Sequence, residues 1–484
     1  MKTEENGDGQ TTSPRKKRSE GKGKTMKLTR RDFLKTSTAA ALATGVGYGA
    51  SSEQVRAQSA ATPTVKRWYK GNMHQHCQWS DGDPMPEYAI DWYKSRGYDF
   101  VCPSDHNIFQ ANDLRFTSNG TKPKMTAEMK AAFKDETSLW KPMQCETINN
   151  KLTQKVVDQT RERFGADSVR IKKAGGLTFV RMKSFDELVE QFAEDGKFLL
   201  IPGFEQTGSC PDKRAVHMNF IGVRKTFKYI KKEDPVDTLR ETLAAGRELY
   251  ADSPFLFTAN HPLWKFYDIS PTALIANPDV RFFELNNNGI HRDYAARDDA
   301  WEPEHFWDAV NAFRALADVP LLFGMGSDDR HGYPDGPATK GWTVARAAKL
   351  DWPSLLEAFN AGDFYSSNGL DFAEINFDGK TLSVKIDVKE EGDYRIEFKG
   401  TKKNFDKTRK TIAVAAEEKK SADRLIETFS PEVGTVLETV EGTEGSYTLK
   451  PDDLYVRAKI VKLPRAEKLE WRTGPAAWTQ PYRS

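Results

Sequence analysis

The sequence is poor in cysteine and has no hydrophobic run long enough to cross a membrane. Its four cysteines, Cys77, Cys102, Cys145 and Cys210, contain no Cys-x-x-Cys pair, which excludes the usual zinc and dithiol redox motifs. In an oxidising compartment they could pair in three full connectivities, and buried free thiols are an equally simple reading. Because a spanning helix needs about 20 consecutive apolar residues, no permanent membrane anchor is expected.

A strong charge and two familiar catalytic motifs are also missing. The net charge is only +2 over 484 residues, and basic residues are not concentrated outside the N-terminal tail, so no nucleic-acid partner is expected. The sequence has no glycine-rich phosphate loop and no Gly-x-Ser-x-Gly elbow. These absences argue against P-loop and serine-nucleophile chemistry.

The first 61 residues have the pattern of a polar tail and an export signal. Residues 1–25 are polar and charged without any apolar period, which predicts disorder. Arg30 and Arg31 begin an Arg-Arg-x-Phe-Leu-Lys motif, and a mild Ala- and Gly-rich run follows to Ala50. This stretch resembles a twin-arginine signal, with small residues at 57–61 for cleavage. We therefore expect the twin-arginine (Tat) machinery to export the protein to the periplasm or the extracellular space.

The chain after the signal divides into two patterns. Over residues 66–370, seven strand-like runs alternate with helical runs, which predicts parallel β-α units closed into a barrel. Residues 107–183 are less regular and are interpreted as a large insertion or lid. From residue 371 to 484, apolar residues alternate with polar ones, which predicts a β-rich, sandwich-like accessory domain.

Histidine is also scarce, and its distribution is informative. His74 and His76 lie two residues apart on a predicted strand, so both imidazoles point the same way. Six of the eight histidines and three carboxylates lie at strand ends or in the turns beside them: His74, His76, His106, His217, His261, His331, Asp81, Glu205 and Asp329. In a barrel, the carboxyl ends of the strands meet at one face, so this pattern predicts a metal site. His217 is the exception, because it is expected to open its strand.

These residues carry a family resemblance that covers about residues 66–370. The ordered motifs resemble those of the polymerase and histidinol phosphatase (PHP) family: His74-Gln75-His76, Ser80-Asp81-Gly82, Ser104-Asp105-His106-Asn107, Glu205 with His217, Asn260-His261-Pro262 and Asp329-Arg330-His331. The resemblance implies a distorted (β/α)7 barrel with up to three metals. It assigns His74, His76, Glu205 and Asp329 to one metal, Glu205 with His217 and His261 to a second, and Asp81, His106 and His331 to the third. Zinc, manganese and iron all suit such ligands.

Adjacent metals would lower the pKa of a bridging water and so provide a hydroxide nucleophile. Asp329 is expected to move the proton, and Arg330 is a candidate contact for an anionic substrate. The leading hypothesis is a metal-dependent phosphoesterase acting on a small molecule. An amide, carbamate or carboxylic ester hydrolase is the second hypothesis, and a non-catalytic metal- or glycan-binding protein is the third.

Overall fold

The computed structural model describes residues 65–111, 115–116, 124–144, 151–264, 268–287, 303–332, 341–414, 424–463 and 474–484. The tail, the export signal and Cys145 lie outside these residues. Cys77, Cys102 and Cys210 are all buried as free thiols. None of the helices in the described ranges combines the length and apolar character needed to cross a bilayer.

The helices follow the sequence pattern closely. The described part of the chain contains α1 (Pro86–Lys94), α2 (Ala127–Ala132), α3 (Gln154–Phe164), α4 (Phe185–Phe192), α5 (Pro235–Leu249), α6 (Pro271–Ala276), α7 (Pro303–Leu316) and α8 (Trp352–Ala361). The predicted capping box of α4 is confirmed, since the Ser184 hydroxyl accepts from Glu187 N–H while the Glu187 carboxylate accepts from Ser184 N–H. Gly362, with φ of 71°, ends α8 in the left-handed conformation that glycine tolerates best.

The strands form several sheets. The first fourteen are β1 (Arg67–Asn72), β2 (Phe100–Val101), β3 (Arg115–Phe116), β4 (Leu139–Pro142), β5 (Ile171–Ala174), β6 (Leu177–Met182), β7 (Leu199–Leu200), β8 (Gly203–Ser209), β9 (Ala215–Ile221), β10 (Leu256–Ala259), β11 (Phe282–Asn287), β12 (Phe323–Ser327), β13 (Trp342–Ala347) and β14 (Phe364–Ser367). The rest are β15 (Asp371–Phe377), β16 (Thr381–Asp387), β17 (Asp393–Lys402), β18 (Lys410–Val414), β19 (Arg424–Thr428), β20 (Thr435–Glu441), β21 (Glu444–Thr448), β22 (Asp453–Leu463) and β23 (Ala476–Thr479).

Two sheets carry the predicted site. One has the order β20-β17-β22-β23-β14-β13-β1-β2-β7, and the other has the order β12-β11-β10-β9-β8. They contact each other along both sides: Glu205 N–H donates to Ser104 O at 3.0 Å, and Gly326 N–H donates to the Thr343 hydroxyl at 3.0 Å. The fold is therefore a mixed α/β fold. His261 and Asp329 follow strand ends, whereas Glu205 is the third of the seven residues of β8, so the expectation that it ends its strand is wrong.

The expected uniformly parallel pairing is wrong at two places. The runs β1-β2-β7 and β10-β11-β12 are parallel. However, β9 is antiparallel to both β8 and β10, and β1 is antiparallel to β13. Strands β8 and β9 are antiparallel because a turn of residues 210–214 joins them, whereas a parallel pair would need a long crossover.

Aromatic packing holds α8 against the first sheet. The Phe100 and Phe359 ring centroids are 6.3 Å apart, and those of Phe359 and Phe364 are 5.2 Å apart, both edge-on. All three rings are at most 1% exposed. Full burial of such a side chain stabilises a fold by about 1.5–3 kcal/mol. This cluster lies beneath β1 and β2, and so supports the strands that lead into His74 and His106.

Residues Thr64–Ser484 pack as one compact unit. Strand β23 pairs with β14, and the Gln480 side chain exchanges two hydrogen bonds with the backbone of Gly324, at 2.8 and 2.9 Å. Arg457 on β22 is fully buried and forms an ion pair with Asp308 of α7 at 2.6 Å. The residues beyond 370 are β-rich as expected, and they are joined to the preceding segment by a continuous sheet.

Candidate metal centre

The histidines of the His74-Gln75-His76 segment are positioned by pairing with residues 329–331. Strand β1 ends at Asn72, earlier than predicted, and the chain continues extended. Asp329 N–H donates to His74 O at 2.9 Å, and His76 N–H donates to Arg330 O at 2.9 Å. These two backbone bonds bring the first and last motifs of the sequence side by side.

Backbone pairing also holds Glu205 beside His106, where β8 lies next to the segment that follows β2. His106 follows β2 and forms an isolated parallel bridge with Glu205 on β8. Asn107 N–H donates to Glu205 O at 2.7 Å. His217 is the third residue of β9 and lies opposite Thr207, so it does not open its strand. In an antiparallel pair a diagonal neighbour is within side-chain reach, which explains how His217 meets Glu205.

Two of the predicted ligands have strained backbone. His261 follows β10 with φ of 25°, and Asp329 follows β12 with φ of 46°. Positive φ is uncommon for residues other than glycine, and such strain is concentrated at functional sites. The strain turns both side chains off the strand ends and into the cluster.

Glu205 is the centre of the cluster. Its carboxylate is fully buried and lies within 3.8 Å of five imidazoles: His106 Nδ1 at 2.5 Å, His217 Nδ1 and His261 Nε2 at 3.3 Å, His74 Nε2 at 3.4 Å and His76 Nε2 at 3.8 Å. Burial raises the pKa of Glu205, but the surrounding histidines outweigh it and hold the pKa well below its ordinary value. Glu205 is therefore an anion that several ligand groups share.

Three overlapping sets of side chains could each hold a metal ion. They are His76 with Asp81, His106 and His331; His74 with His76 and Asp329; and His74 with Glu205 and His261, with all ligand atoms of a set within 4.8 Å of one another. All nine predicted ligands thus lie together, since His217 contacts Glu205 from the side. The grouping differs from the expected one, since His74 and His76 each belong to two sets, Glu205 to one and His217 to none.

The donor chemistry fits bound divalent metals. Within the described residues, no hydrogen bond satisfies His76 Nδ1, His217 Nδ1 or Asp329 Oδ1, although all three atoms are buried. Unsatisfied buried polar atoms are costly, and native structures keep few of them. Nitrogen and carboxylate oxygen at this spacing are ligands that zinc, manganese and iron accept.

The pKa shifts of two histidines agree with ligation, whereas at His74, His106 and His261 burial is outweighed by neighbouring carboxylates, which raise the pKa. Burial, with His331 and His106 nearby, lowers the pKa of His76 to about 3. Burial also lowers the pKa of His217 to about 4, even though Glu205 opposes it. Both imidazoles are therefore neutral at physiological pH, which is the form that binds metals. At His106 burial lowers the pKa, but Glu205 outweighs it and raises the pKa to about 9.

Glu284 is a functional candidate that the sequence reasoning missed. It is 2% exposed on β11, and its Oε1 lies 2.6 Å from His74 Nδ1. The same carboxylate accepts from His261 N–H at 2.8 Å and from the Ser327 hydroxyl at 2.6 Å. A usable signal existed, because Glu284 follows two phenylalanines near the end of a predicted strand, the same position that singled out Glu205.

The loop that carries Asp81 is held by buried groups. Asp105 accepts from Cys77 N–H at 3.0 Å and from Ser80 N–H at 2.8 Å. Lys141, on β4 of the insertion, is buried and donates to Ser80 O at 2.7 Å and to Gln78 O at 3.3 Å. The Trp79 indole N–H donates to Lys183 O at 2.9 Å. The insertion thus reaches into the back of a ligand loop.

The cluster opens into a pocket of about 760 Å³. The residues that line it are Asp81, His106, Thr207, Gly208, Ser209, Lys213, Ala215, His217, His261, Trp264, Asn287, Asp329 and His331. The volume lies within the range typical of small-molecule sites. Arg330, the predicted substrate contact, is not among these residues, and its guanidinium carbon lies 4.2 Å from the Trp92 ring centroid.

Comparison with known proteins identifies the export signal. Residues 27–47 match the family model for the twin-arginine translocation (TAT) pathway signal sequence, which implies export across the membrane. No curated protein matches the sequence.

Two solved bacterial structures are similar to the chain. One is a two-domain protein from Bacteroides vulgatus containing a predicted PHP-like metal-dependent phosphoesterase, at 14% identity and a TM-score of 0.36, covering 86% of this chain and 95% of that one. The other, from Bifidobacterium adolescentis, is described as a candidate metal-dependent phosphoesterase, at 14% identity and a TM-score of 0.24, covering 55% of this chain and 90% of that one. At these scores the assignment of function rests on the residues of the site.

Proposed function

We propose that the chain is an exported metal-dependent hydrolase that cleaves phosphoesters of small molecules. The observation that carries this proposal is the convergence of six histidines and three carboxylates in one cluster at the pocket, where five of the imidazoles lie within 3.8 Å of the Glu205 carboxylate. Its place of action would be the periplasm or the extracellular space, since residues 27–47 match an export signal. A distorted barrel closed by the two central sheets belongs to the same proposal.

Different residues would hold each of the two or three metals. His74, His76 and Asp329 would hold one, and Glu205 with His261, supported by His217, would hold a second. Asp81, His106 and His331 would hold the third. When bound, such metals lower the pKa of water and offset the charge of a phosphoryl group. Zinc, manganese and iron are all compatible with these ligands.

Asp329 is the best candidate for proton transfer. Burial raises its pKa, but His74 and the neighbouring histidines outweigh it and keep the pKa well below the ordinary value. The carboxylate is therefore ionised at neutral pH, but the lowered pKa makes it a weak base, so its candidacy for proton transfer rests on its position at the pocket. It lines the pocket, and Asn287 donates to its Oδ2 at 3.1 Å, which fixes the orientation of the group. The same carboxyl group can return the proton to the departing ester oxygen.

Attack on phosphorus is favoured over attack on a carbonyl carbon because of the negative charge of a phosphoryl group. The three ligand sets would place several cations beside one another, and the oxygens of a phosphoryl group can each contact a cation. A neutral amide or ester would leave most of that positive charge without a partner. The pocket volume alone admits either class of substrate.

The test is a substrate panel with metal added back to the purified protein. Phosphate monoesters and diesters are compared with aryl carboxylic esters and amides, for the wild type, His74→Ala and His305→Ala. His305 lies on α7, outside the three ligand sets, so its variant is the matched control. We expect phosphoester turnover that His74→Ala abolishes and His305→Ala keeps. Turnover of carbonyl substrates alone would discard the phosphoesterase, and metal binding without turnover would favour a binding protein.

A further inference from the structure

Lys213 lies at the tip of the β8–β9 hairpin and lines the same pocket as the metal-site residues. It is exposed, and within the described residues it is the only lysine or arginine that lines this pocket. The described contacts give its ammonium group no hydrogen bond and no ion pair. Among the described residues, the pocket thus has one permanent cation that forms no ion pair, although Asp81 and Asp329 also line the pocket.

The other charges of the turn are already paired. Asp212 accepts from Arg214 through a side-chain contact at 2.5 Å and also from Arg214 N–H at 3.1 Å. Backbone bonds close the turn, from Cys210 N–H to Arg214 O at 2.9 Å and from Lys213 N–H to Cys210 O at 3.0 Å. The turn is therefore internally satisfied, and the Lys213 charge is not needed to hold it.

The backbone at Lys213 is strained. Its φ is 69°, in the left-handed region where glycine is relaxed and other residues are not. A strained lysine at a position suited to glycine is an outlier of the kind that points to function. The strain, the free charge and the position beside the pocket are three separate observations on one side chain.

We propose that Lys213 binds a second anionic group of the substrate, separate from the phosphoryl group at the metals. Lys213 precedes His217 by four residues, so their Cα atoms are at most about 13 Å apart along the strand direction. The ammonium therefore meets a carboxylate or second phosphate on the leaving group. The inference rests on the proposed function and extends it, because it names the substrates as phosphoesters with a further negative charge.

Binding of two non-hydrolysable probes tests this subsite without any turnover. Phenylphosphonate and 4-carboxyphenylphosphonate differ only by one carboxylate, and their affinities for the metal-loaded protein are measured by calorimetry. We expect the carboxylated probe to bind about five- to tenfold more tightly, as one charge-assisted contact provides. Lys213→Gly should reduce this ratio to about one, and Lys213→Arg should keep it. Lys225→Ala, an exposed lysine that does not line the pocket, is the matched control and should also keep the ratio.

Lys213→Gly also separates binding from folding. Because glycine relaxes the left-handed backbone, the unfolding midpoint of the Lys213→Gly variant should equal or exceed that of the wild type. An equal affinity for both probes in the wild type, or a preference that survives in Lys213→Gly, would overturn the subsite. Hydrolysis of phenyl phosphate, measured separately, reports on the proposed function. A protein that shows the Lys213-dependent preference but cleaves no phosphoester keeps the subsite and refutes the phosphoesterase.

Discussion

The Nδ1 atom of His74 lies 2.6 Å from Oε1 of Glu284, which leaves His74 Nε2 directed at Glu205 and Asp329. Burial raises the pKa of Glu284, but His74 and His261 outweigh it and lower the pKa, so the group is an anion. A carboxylate behind a metal-binding histidine fixes the tautomer and orientation of the ring and increases its basicity. We therefore predict that Glu284 is a positioning residue, which contacts His74 and His261 on the side away from Glu205 and Asp329.

Glu284→Gln should weaken metal binding while keeping the shape of the side chain. Loss of such a supporting carboxylate typically costs about 10- to 100-fold in metal affinity. Competition with a chromophoric chelator measures this. Glu87→Gln is the control, since Glu87 is a buried carboxylate on α1 that belongs to none of the ligand sets. An unchanged affinity in Glu284→Gln would show that His74 is oriented by other contacts.

Lys141 should control the ligand set that contains Asp81. Lys141→Met removes both ammonium bonds to the Ser80 and Gln78 carbonyls, so the loop should no longer hold Asp81 in place. We expect the variant to lose about one metal equivalent on dialysis and to keep the others, as measured by elemental analysis.

The control for Lys141 is Lys151, a second insertion lysine that contacts the same loop. Lys151 and Asp83 lie 3.1 Å apart with side chains 47% and 33% exposed, and such partly solvated pairs contribute little. Lys151→Met should therefore keep all the metal. Full metal content in Lys141→Met would contradict a positioning role. Loss of all metal together with a lower unfolding midpoint would instead indicate a structural role.

Glu87 should make the protein less stable as the pH rises. Burial raises the pKa of Glu87 from 4.5 to about 7. The folded state therefore holds a proton that the unfolded state releases between pH 4.5 and about 7, so stability falls through this window. Above pH 7 the full cost, roughly 3 kcal/mol, is present.

Glu87→Gln removes that cost. In denaturant unfolding at matched metal concentration, the variant should exceed the wild type by up to roughly 3 kcal/mol above pH 7. The advantage should vanish below about pH 4.5, where Glu87 is protonated in both states. If the difference in the free energy of unfolding does not change with pH, then packing at residue 87, and not its ionisation, causes the difference.

Export should depend on the arginine pair in residues 27–47. Arg30→Lys combined with Arg31→Lys keeps the charge but removes the paired arginines that characterise a twin-arginine signal. Cell fractionation should then find the protein retained in the cytoplasm. Arg15→Lys with Arg18→Lys, outside the matched segment, should be exported normally. Unaltered export of the Arg30 and Arg31 double variant would refute the signal.

Much of the local structure could be predicted because local rules decide it. The α4 capping box and the bounds of α8 follow from short-range patterns, and the rule that chemistry gathers at strand ends placed His261 and Asp329 correctly, whereas Glu205 lies inside β8. The antiparallel position of β9 was missed because the pattern of residues 203–221 does not reveal whether a short turn or a crossover joins two strands.

The remaining features depend on contacts between distant parts of the chain. Lys141 reaches Ser80 across 61 residues, and Gln480 reaches Gly324 across 156 residues. No periodicity encodes either contact. The boundary near residue 370 stays a prediction, and the pattern gave no indication that β23 would join the sheet at β14.

The most direct test of a multinuclear centre built around Glu205 is the metal content of the purified protein and its variants. The wild type should carry two to three equivalents of transition metal by elemental analysis, as the three ligand sets imply. Glu205→Ala should lose more metal than any single histidine variant, because five imidazoles surround that one carboxylate. A Glu205→Ala protein that keeps its full metal content would contradict the shared role of Glu205 and the centre proposed around it.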